Sequence, residues 1–192
     1  MDDPRMQPYL IDMYRELYEN EDYNDIEILF EGAQGFGLDV DWGDYPYVTS
    51  SHCTVGSALL NGVAPKAIRD VWGVAKIYET YVGAKSFEGP DEIFEIIREK
   101  GQEFGATTGR PRQINWLDYD MLKMATRING CTKVVFNKMD VMEGLNSWCL
   151  YDGPNLYQFD SREDIELWLS GKLELEVNEQ IEVMFSGNKE FI

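Results

Sequence analysis

The sequence predicts an α/β protein, with a mixed or mostly parallel sheet and flanking helices, folded as a single domain over residues 1–192. Three observations carry that expectation. Short β-branched and aromatic runs alternate with segments of helical periodicity, the order that builds a layered sheet rather than separate all-α and all-β units. The clearest helical segments carry start and stop signals at the right ends. Glycine-containing turns follow predicted strands, where open α/β sheets place their ligands.

Residues 7–20 set Tyr9, Leu10, Met13, Leu17 and Tyr18 among charges at helical spacing. Ile26–Phe30 then reads as a strand ending in Glu31-Gly-Ala-Gln-Gly35, a turn that brings Gln34 and its neighbouring amides to a ligand-side edge. Around residues 70–82, Val71, Val74, Ile77, Tyr78, Tyr81 and Val82 fit either a helix running into a strand or one long strand. Residues 91–100 form an amphipathic helix, with Asp91 and Glu92 first, Arg98 and Lys100 last, and Gly101 as the stop. A further helix covers 118–128 and stops near Asn129-Gly130, before a strand at 132–136. A strand at 147–151 precedes Ser161-Arg-Glu-Asp164, a capping box with Asp in place of the preferred Glu or Gln, which opens a helix through Leu169. Ile181–Phe185 closes the set as a strand entering Ser186-Gly187-Asn188.

A chain of 192 residues with 44% hydrophobic content can bury one real core, so disorder is not expected. Its 17 basic and 35 acidic residues give a net charge of −18 and a pI near 4.3. Nucleic acid and anionic membranes are therefore excluded as main partners, since both need a basic face. No apolar run approaches the roughly 20 residues of a membrane span, and the acidic start Met1-Asp2-Asp3 is unlike a signal peptide. Cys53, Cys131 and Cys149 are odd in number and lack a C-x-x-C pair, which suggests neither a disulfide framework nor a zinc site. The expected setting is the reducing cytoplasm.

Two motifs carry chemistry. Gly105-Ala-Thr-Thr-Gly-Arg-Pro-Arg112 frames two hydroxyls, Thr107 and Thr108, between two glycines that permit close backbone approach to an anion. Gly109 leads into Arg110 and Arg112, planar forks suited to carboxylate or phosphate. A surface turn with solvated arginines is the alternative reading. The second motif, Asn137-Lys-Met-Asp140, lies at the carboxyl end of the run Thr132–Phe136. An Asp140 carboxylate can accept from both the N1–H and the 2-amino group of guanine, a donor pair adenine does not present, while the stem of Lys138 can lie on the base. A solvated turn is the alternative here too.

Read in order, Phe30-Glu-Gly-Ala-Gln-Gly35, Asp39-Val-Asp41, Tyr45-Pro-Tyr-Val-Thr-Ser-Ser51, Tyr81-Val-Gly-Ala84, Glu103-Phe-Gly-Ala-Thr-Thr-Gly-Arg110, Trp116-Leu-Asp118 and Lys138-Met-Asp140 resemble the carboxyl-terminal half of adenylosuccinate synthetase. The resemblance implies a P-loop-NTPase-like carboxyl-terminal portion. It also implies a carbon–nitrogen ligase of purine biosynthesis, which joins aspartate to inosine monophosphate using GTP and Mg2+. In that chemistry GTP phosphorylates the purine 6-oxygen, and the aspartate amine displaces the phosphate. Carried over, Gln34 lies near the 6-position, as the catalytic contact, and Thr49 binds the nucleotide. Thr107, Thr108, Gly109 and Arg110 hold the substrate aspartate, Arg112 lies near GTP, and Asn137, Lys138 and Asp140 read guanine. Ser186-Gly187 resembles the short loop that completes the guanine pocket.

The family's G-D-E-G-K-G phosphate loop, which carries its catalytic Asp, does not occur in these residues, nor does its histidine segment G-H-N-A-G-H. His52, the sole histidine, stands in Ser50-Ser-His-Cys53 where the family usually has Asn, and reads as packed or exposed rather than catalytic. The expectation is a carboxyl-terminal portion whose phosphate-transfer groups, and most of whose Mg2+ ligands, come from an amino-terminal segment on another chain. No metal ligand is assigned within this chain. A homodimer or such a complementing chain would cover the apolar edges of a sheet cut from a larger one. Two other readings stay open: a viral form that makes 2-aminodeoxyadenylosuccinate from deoxyguanylate, and a non-catalytic nucleotide-binding or regulatory module.

Overall fold

A computed structural model describes residues 15–19 and 27–186. The helix expected over 7–20 lies outside them except for a π-helical turn at Arg15–Glu19, and Gly187 also lies outside. Two sheets with helices against them make up the α/β architecture, as expected. The first is fully parallel, in the order β1-β4-β7, from Trp72–Lys76, Lys133–Asn137 and Glu182–Phe185. The second is mixed, in the order β2-β3-β5-β6, from Tyr78–Tyr81, Gln113–Asp118, Trp148–Asp152 and Asn155–Phe159. Within it β3 and β5 are parallel, and the outer pairs are antiparallel.

The ambiguity at 70–82 has a structural cause. Neither a helix nor one long strand forms, because the chain leaves one sheet at Lys76 and enters the other at Tyr78. Ile77, at the junction, is 2% exposed, and its N–H bonds to the Asn137 carbonyl at 3.1 Å. Both sheets thus share one short pivot in the core.

The strand expected at 26–30 is a correction: its described residues, 27–30, are not in a strand, and Leu29 is 88% exposed. The apolar run has the composition of a strand, but strand preference is realised only where a neighbour supplies ladder partners and packing. Strands β3 and β6 and the short helices α1 (Gly56–Leu60) and α4 (Met139–Met142) were not anticipated.

The three longer helices follow their sequence signals. Helix α2 (Ile93–Gly101) opens with Asp91 accepting from the Ile93 N–H and ends against Gln102 in the left-handed region. In α3 (Tyr119–Asn129) the Asp118 side chain caps the Met121 N–H at 3.1 Å, and Gly130 stops the helix at φ 61°. Ser161 caps α5 (Arg162–Glu176) by accepting from the Asp164 N–H at 3.2 Å, while its hydroxyl donates to the Asp164 carboxylate at 2.7 Å. Helix α5 runs past the expected end at Leu169, because Ile165, Leu169 and Leu173 continue one fully buried face at four-residue spacing.

These faces meet in one core that includes Ile77, Tyr78, Phe94, Ile97, Ile114, Phe136, Leu150 and the three α5 residues. All three cysteines are free thiols, and no described helix is long and apolar enough to cross a membrane.

One acidic group sits in this framework at a cost. Burial pushes the Glu79 carboxyl up to about 7, only partly offset by the hydrogen bond from the Asp118 N–H. A carboxyl whose folded pKa is raised supports the fold fully below its unfolded value and loses that support as pH rises through the folded value. Glu79→Gln is therefore expected to raise the melting temperature at pH 8 and leave it nearly unchanged at pH 4, read by circular dichroism melts at both pH values.

Candidate functional site

The parallel strands end on one side and deliver three groups there. Lys76, last in β1, pairs in register with Asn137, last in β4. After β7, the Ser186 N–H reaches the Phe136 carbonyl at 2.7 Å, which sets Ser186 at the same edge. The chain then turns sharply: Lys138 takes the left-handed region at φ 63°, and its ammonium donates to the Gly101 carbonyl at 3.0 Å. That carbonyl closes α2, where the helix dipole favours a cation. Asp140 is exposed in the first turn of α4 and close enough to Tyr78 that its charge helps push the phenol pKa upward, behind burial and Glu103. The Asn137 Oδ1 is buried with no hydrogen-bond partner among the described residues, an uncompensated acceptor at the end of β4.

The arginine-bearing loop is a tight hairpin. The Arg112 N–H donates to the Glu103 carbonyl at 3.0 Å, the Gly105 N–H to the Arg110 carbonyl at 2.8 Å, and the Gly109 N–H back to the Gly105 carbonyl at 2.8 Å. Gly109 makes the turn at φ 63°, a conformation that favours glycine. Thr107, Thr108, Gly109 and Arg110 are exposed at the tip, and the Arg110 guanidinium has no ion pair among the described residues. A cavity of about 350 Å³ opens beside this tip, lined by Tyr81, Val82, Gly83, Ala84, Arg110 and Gln113 among others. Gln113 fixes its far wall, donating to the Lys85 carbonyl at 2.7 Å and accepting from the Phe87 N–H at 2.8 Å. Sequence reasoning assigned no role to Val82, Gly83 or Gln113, although Tyr81-Val-Gly-Ala84 was one of the matched blocks.

Glu103 joins the two halves. Its carboxylate is 2% exposed and accepts from the Lys76 ammonium at 2.8 Å, the Tyr78 hydroxyl at 2.9 Å and the Arg112 guanidinium at 3.0 Å. Burial pushes its pKa up, but the hydrogen bonds from Lys76 and Tyr78 and the charges of Lys76 and Arg112 outweigh it and hold it below the ordinary range. Lys76, last in β1, and Arg112, at the base of the hairpin, are thus clamped by one side chain. Gly101 allows the packing, because a Cβ there would lie 2.5 Å from the Tyr78 hydroxyl.

Gln34 and Thr49 belong to a separate loop module. Gln34 is exposed at φ 67°, and the Thr49 N–H bonds to the Leu38 carbonyl at 2.8 Å. Buried Asp39 organises the module, accepting from the backbone N–H groups of Asp41, Trp42 and Cys53. An Asp44–Lys85 ion pair ties it to the rim of the cavity. His52 is exposed, with Nδ1 3.4 Å from Asp41. Asp39, Asp41 and His52 offer ligand atoms within 4.8 Å of one another, but three backbone donors already engage the Asp39 oxygens, so the trio does not fit a magnesium cage.

The adenylosuccinate synthetase family model matches residues 3–151, which contain both the hairpin and the Asn137–Asp140 turn. The chain belongs to the adenylosuccinate synthetase family. It is 47% identical over 144 residues to adenylosuccinate synthetase from Caldanaerobacter subterraneus subsp. tengcongensis, covering 73% of this chain and 33% of that one. The Burkholderia mallei enzyme is 38% identical over 199 residues, covering 97% of this chain and 43% of its own length. The fully ligated adenylosuccinate synthetase from Plasmodium falciparum superposes with a TM-score of 0.76 at 30% identity, covering 94% of this chain and 51% of that one. The chain therefore spans about a third to a half of the length of these synthetases.

Two outcomes are expected at the clamp. Gly101→Ala should cost about 1–3 kcal/mol by overpacking against Tyr78, measured by urea denaturation. Because the folded Glu103 pKa lies below its ordinary value of 4.5, its contribution is complete above 4.5 and is lost as pH falls through the folded value. Acid titration of stability should therefore fall less steeply below that point in Glu103→Gln than in the parent.

Proposed function

We propose that this chain forms the aspartate- and guanine-binding portion of an adenylosuccinate synthetase, which joins aspartate to inosine monophosphate with GTP. The observation that carries the reading is the Glu103 clamp. It sets the hairpin bearing Thr107, Thr108 and Arg110 beside the strand edge bearing Lys76, Asn137 and Lys138.

Each group has a task fitted to its surroundings. The exposed Arg110 fork and the Thr107 and Thr108 hydroxyls would hold the aspartate carboxylates at the mouth of the cavity. Gln34 would contact the purine 6-position, and Thr49 the monophosphate nucleotide. Asp140 would accept the two guanine donors while Lys138, anchored on Gly101, lays its stem along the base. Ser186 would border the guanine pocket, with Gly187 beyond it.

The phosphate-loop motif is not among these residues, and an amino-terminal segment of the synthetase would supply it. Magnesium would act at the nucleotide phosphates there. The protein would work in the cytoplasm, either with that segment or as a homodimer.

Titration of GTP and ATP into the chain tests the guanine end. GTP should bind at least about tenfold more tightly, the value of one well-placed charged hydrogen bond. Asp140→Asn replaces an acceptor by a donor, so it should lose GTP and gain affinity for the xanthine nucleotide, whose 2-position carries a carbonyl. Equal affinity for GTP and ATP would remove the guanine assignment.

Mixing the chain with the amino-terminal portion of the Caldanaerobacter relative tests the whole reading through adenylosuccinate formation. In that mixture Arg110→Lys should raise KM for aspartate by about tenfold or more, because an ammonium cannot make the bidentate contact. Inosine monophosphate is expected to turn over in preference to deoxyguanylate.

A further inference from the structure

Arg112 is held at three points. Its N–H donates to the Glu103 carbonyl, its carbonyl accepts from the Arg98 Nε at 2.8 Å, and its Nη1 donates to the Glu103 carboxylate at 3.0 Å. Arg98 is itself buried and paired with Glu88 and Glu95, so the anchor is rigid. A guanidinium has five N–H donors, and the Glu103 carboxylate accepts from Nη1 of this one. The Arg112 side chain is 32% exposed, and its guanidinium has no ion pair other than Glu103 among the described residues. The same carboxylate holds Lys76, which lies in register with Asn137 at the strand edge. One anion thus fixes two cations on separate segments before any ligand arrives, removing the conformational entropy that a free arginine would lose on binding.

We propose that Glu103 is a positioning residue for the nucleotide: its buried carboxylate orients Arg112 so that the outer guanidinium edge meets a nucleoside triphosphate seated at the Asn137–Asp140 turn. The hairpin and the base reader then engage the nucleotide as one preformed unit. This rests on the guanine assignment above.

GTP titration of the full chain tests it in four forms: parent, Glu103→Gln, Arg112→Gln and the double variant, each shown by thermal melting to be folded at the titration temperature. Glu103→Gln and Arg112→Gln should each weaken GTP binding by roughly tenfold, and the double variant should be no weaker than Arg112→Gln alone. That non-additivity is the signature of action through Arg112, which a general loss of stability would not produce. Additive losses, or an unchanged affinity in Glu103→Gln, overturn the proposal while leaving the guanine assignment intact. A parent chain that binds no GTP removes the guanine assignment, and this proposal with it. Where Glu103→Gln does not fold, Arg112→Lys decides: it keeps a cation against Glu103 but lacks the planar fork, so the same loss is expected, and full affinity overturns the proposal.

Discussion

A carboxylate removed from water must collect donors or give up its charge. Glu103 collects three, from Lys76, Tyr78 and Arg112, and the candidate site depends on that choice. Removing one partner of such a buried pair typically costs about 3–5 kcal/mol, so the geometry is enforced. The clamp is also where the architecture converges. Lys76 ends the parallel sheet, Tyr78 begins the mixed sheet, and Arg112 leads into β3.

The end of α2 prepares this meeting point. Gly101 permits the close approach of Tyr78, its carbonyl receives Lys138, and Gln102 reverses the chain in the left-handed region so that Glu103 points back into the core. Arg98, one turn earlier, holds the far strand of the hairpin through the Arg112 carbonyl. A helix terminus thus organises both loops while contributing its own electrostatics to Lys138. The arrangement also answers a difficulty set by composition. A chain with net charge −18 repels anions at long range, so binding depends on local donors. Lys76 and Arg112 are neutralised in part by Glu103, whereas Arg110 at the tip is not paired among the described residues.

Family membership and the chemistry of the two motifs rest on different grounds. The match over residues 3–151 and the superposition on the Plasmodium enzyme place the chain in the synthetase family. The physical case for a base reader rests on a strand end, a left-handed Lys138 and an exposed carboxylate at Asp140. Much of the fold was legible for local reasons. The charge gradient of α2, the Asp118 and Ser161 caps and the Gly130 stop are interactions within a few residues. The errors share the opposite character. Residues 27–30 have strand composition without a strand partner, and β3 alternates Gln113, Ile114, Asn115 and Trp116 rather than presenting a continuous apolar run. Helix α5 outran its expected end because its buried face is set by packing.

By itself, the sequence determined the α/β class, the three main helices and the two motifs at Gly105–Arg112 and Asn137–Asp140, since these depend on side-chain periodicity, caps and the chemistry of neighbouring residues. Only the tertiary structure decided that the chain changes sheets at Ile77, that Gln113 walls the cavity, and that Glu103 binds Lys76 from 27 residues away. The physical reason is the range of the forces. Helical backbone hydrogen bonds and helix caps are satisfied locally and leave a mark in the sequence. A buried charge is satisfied by whichever donors the folded chain brings to it, and no local pattern names them.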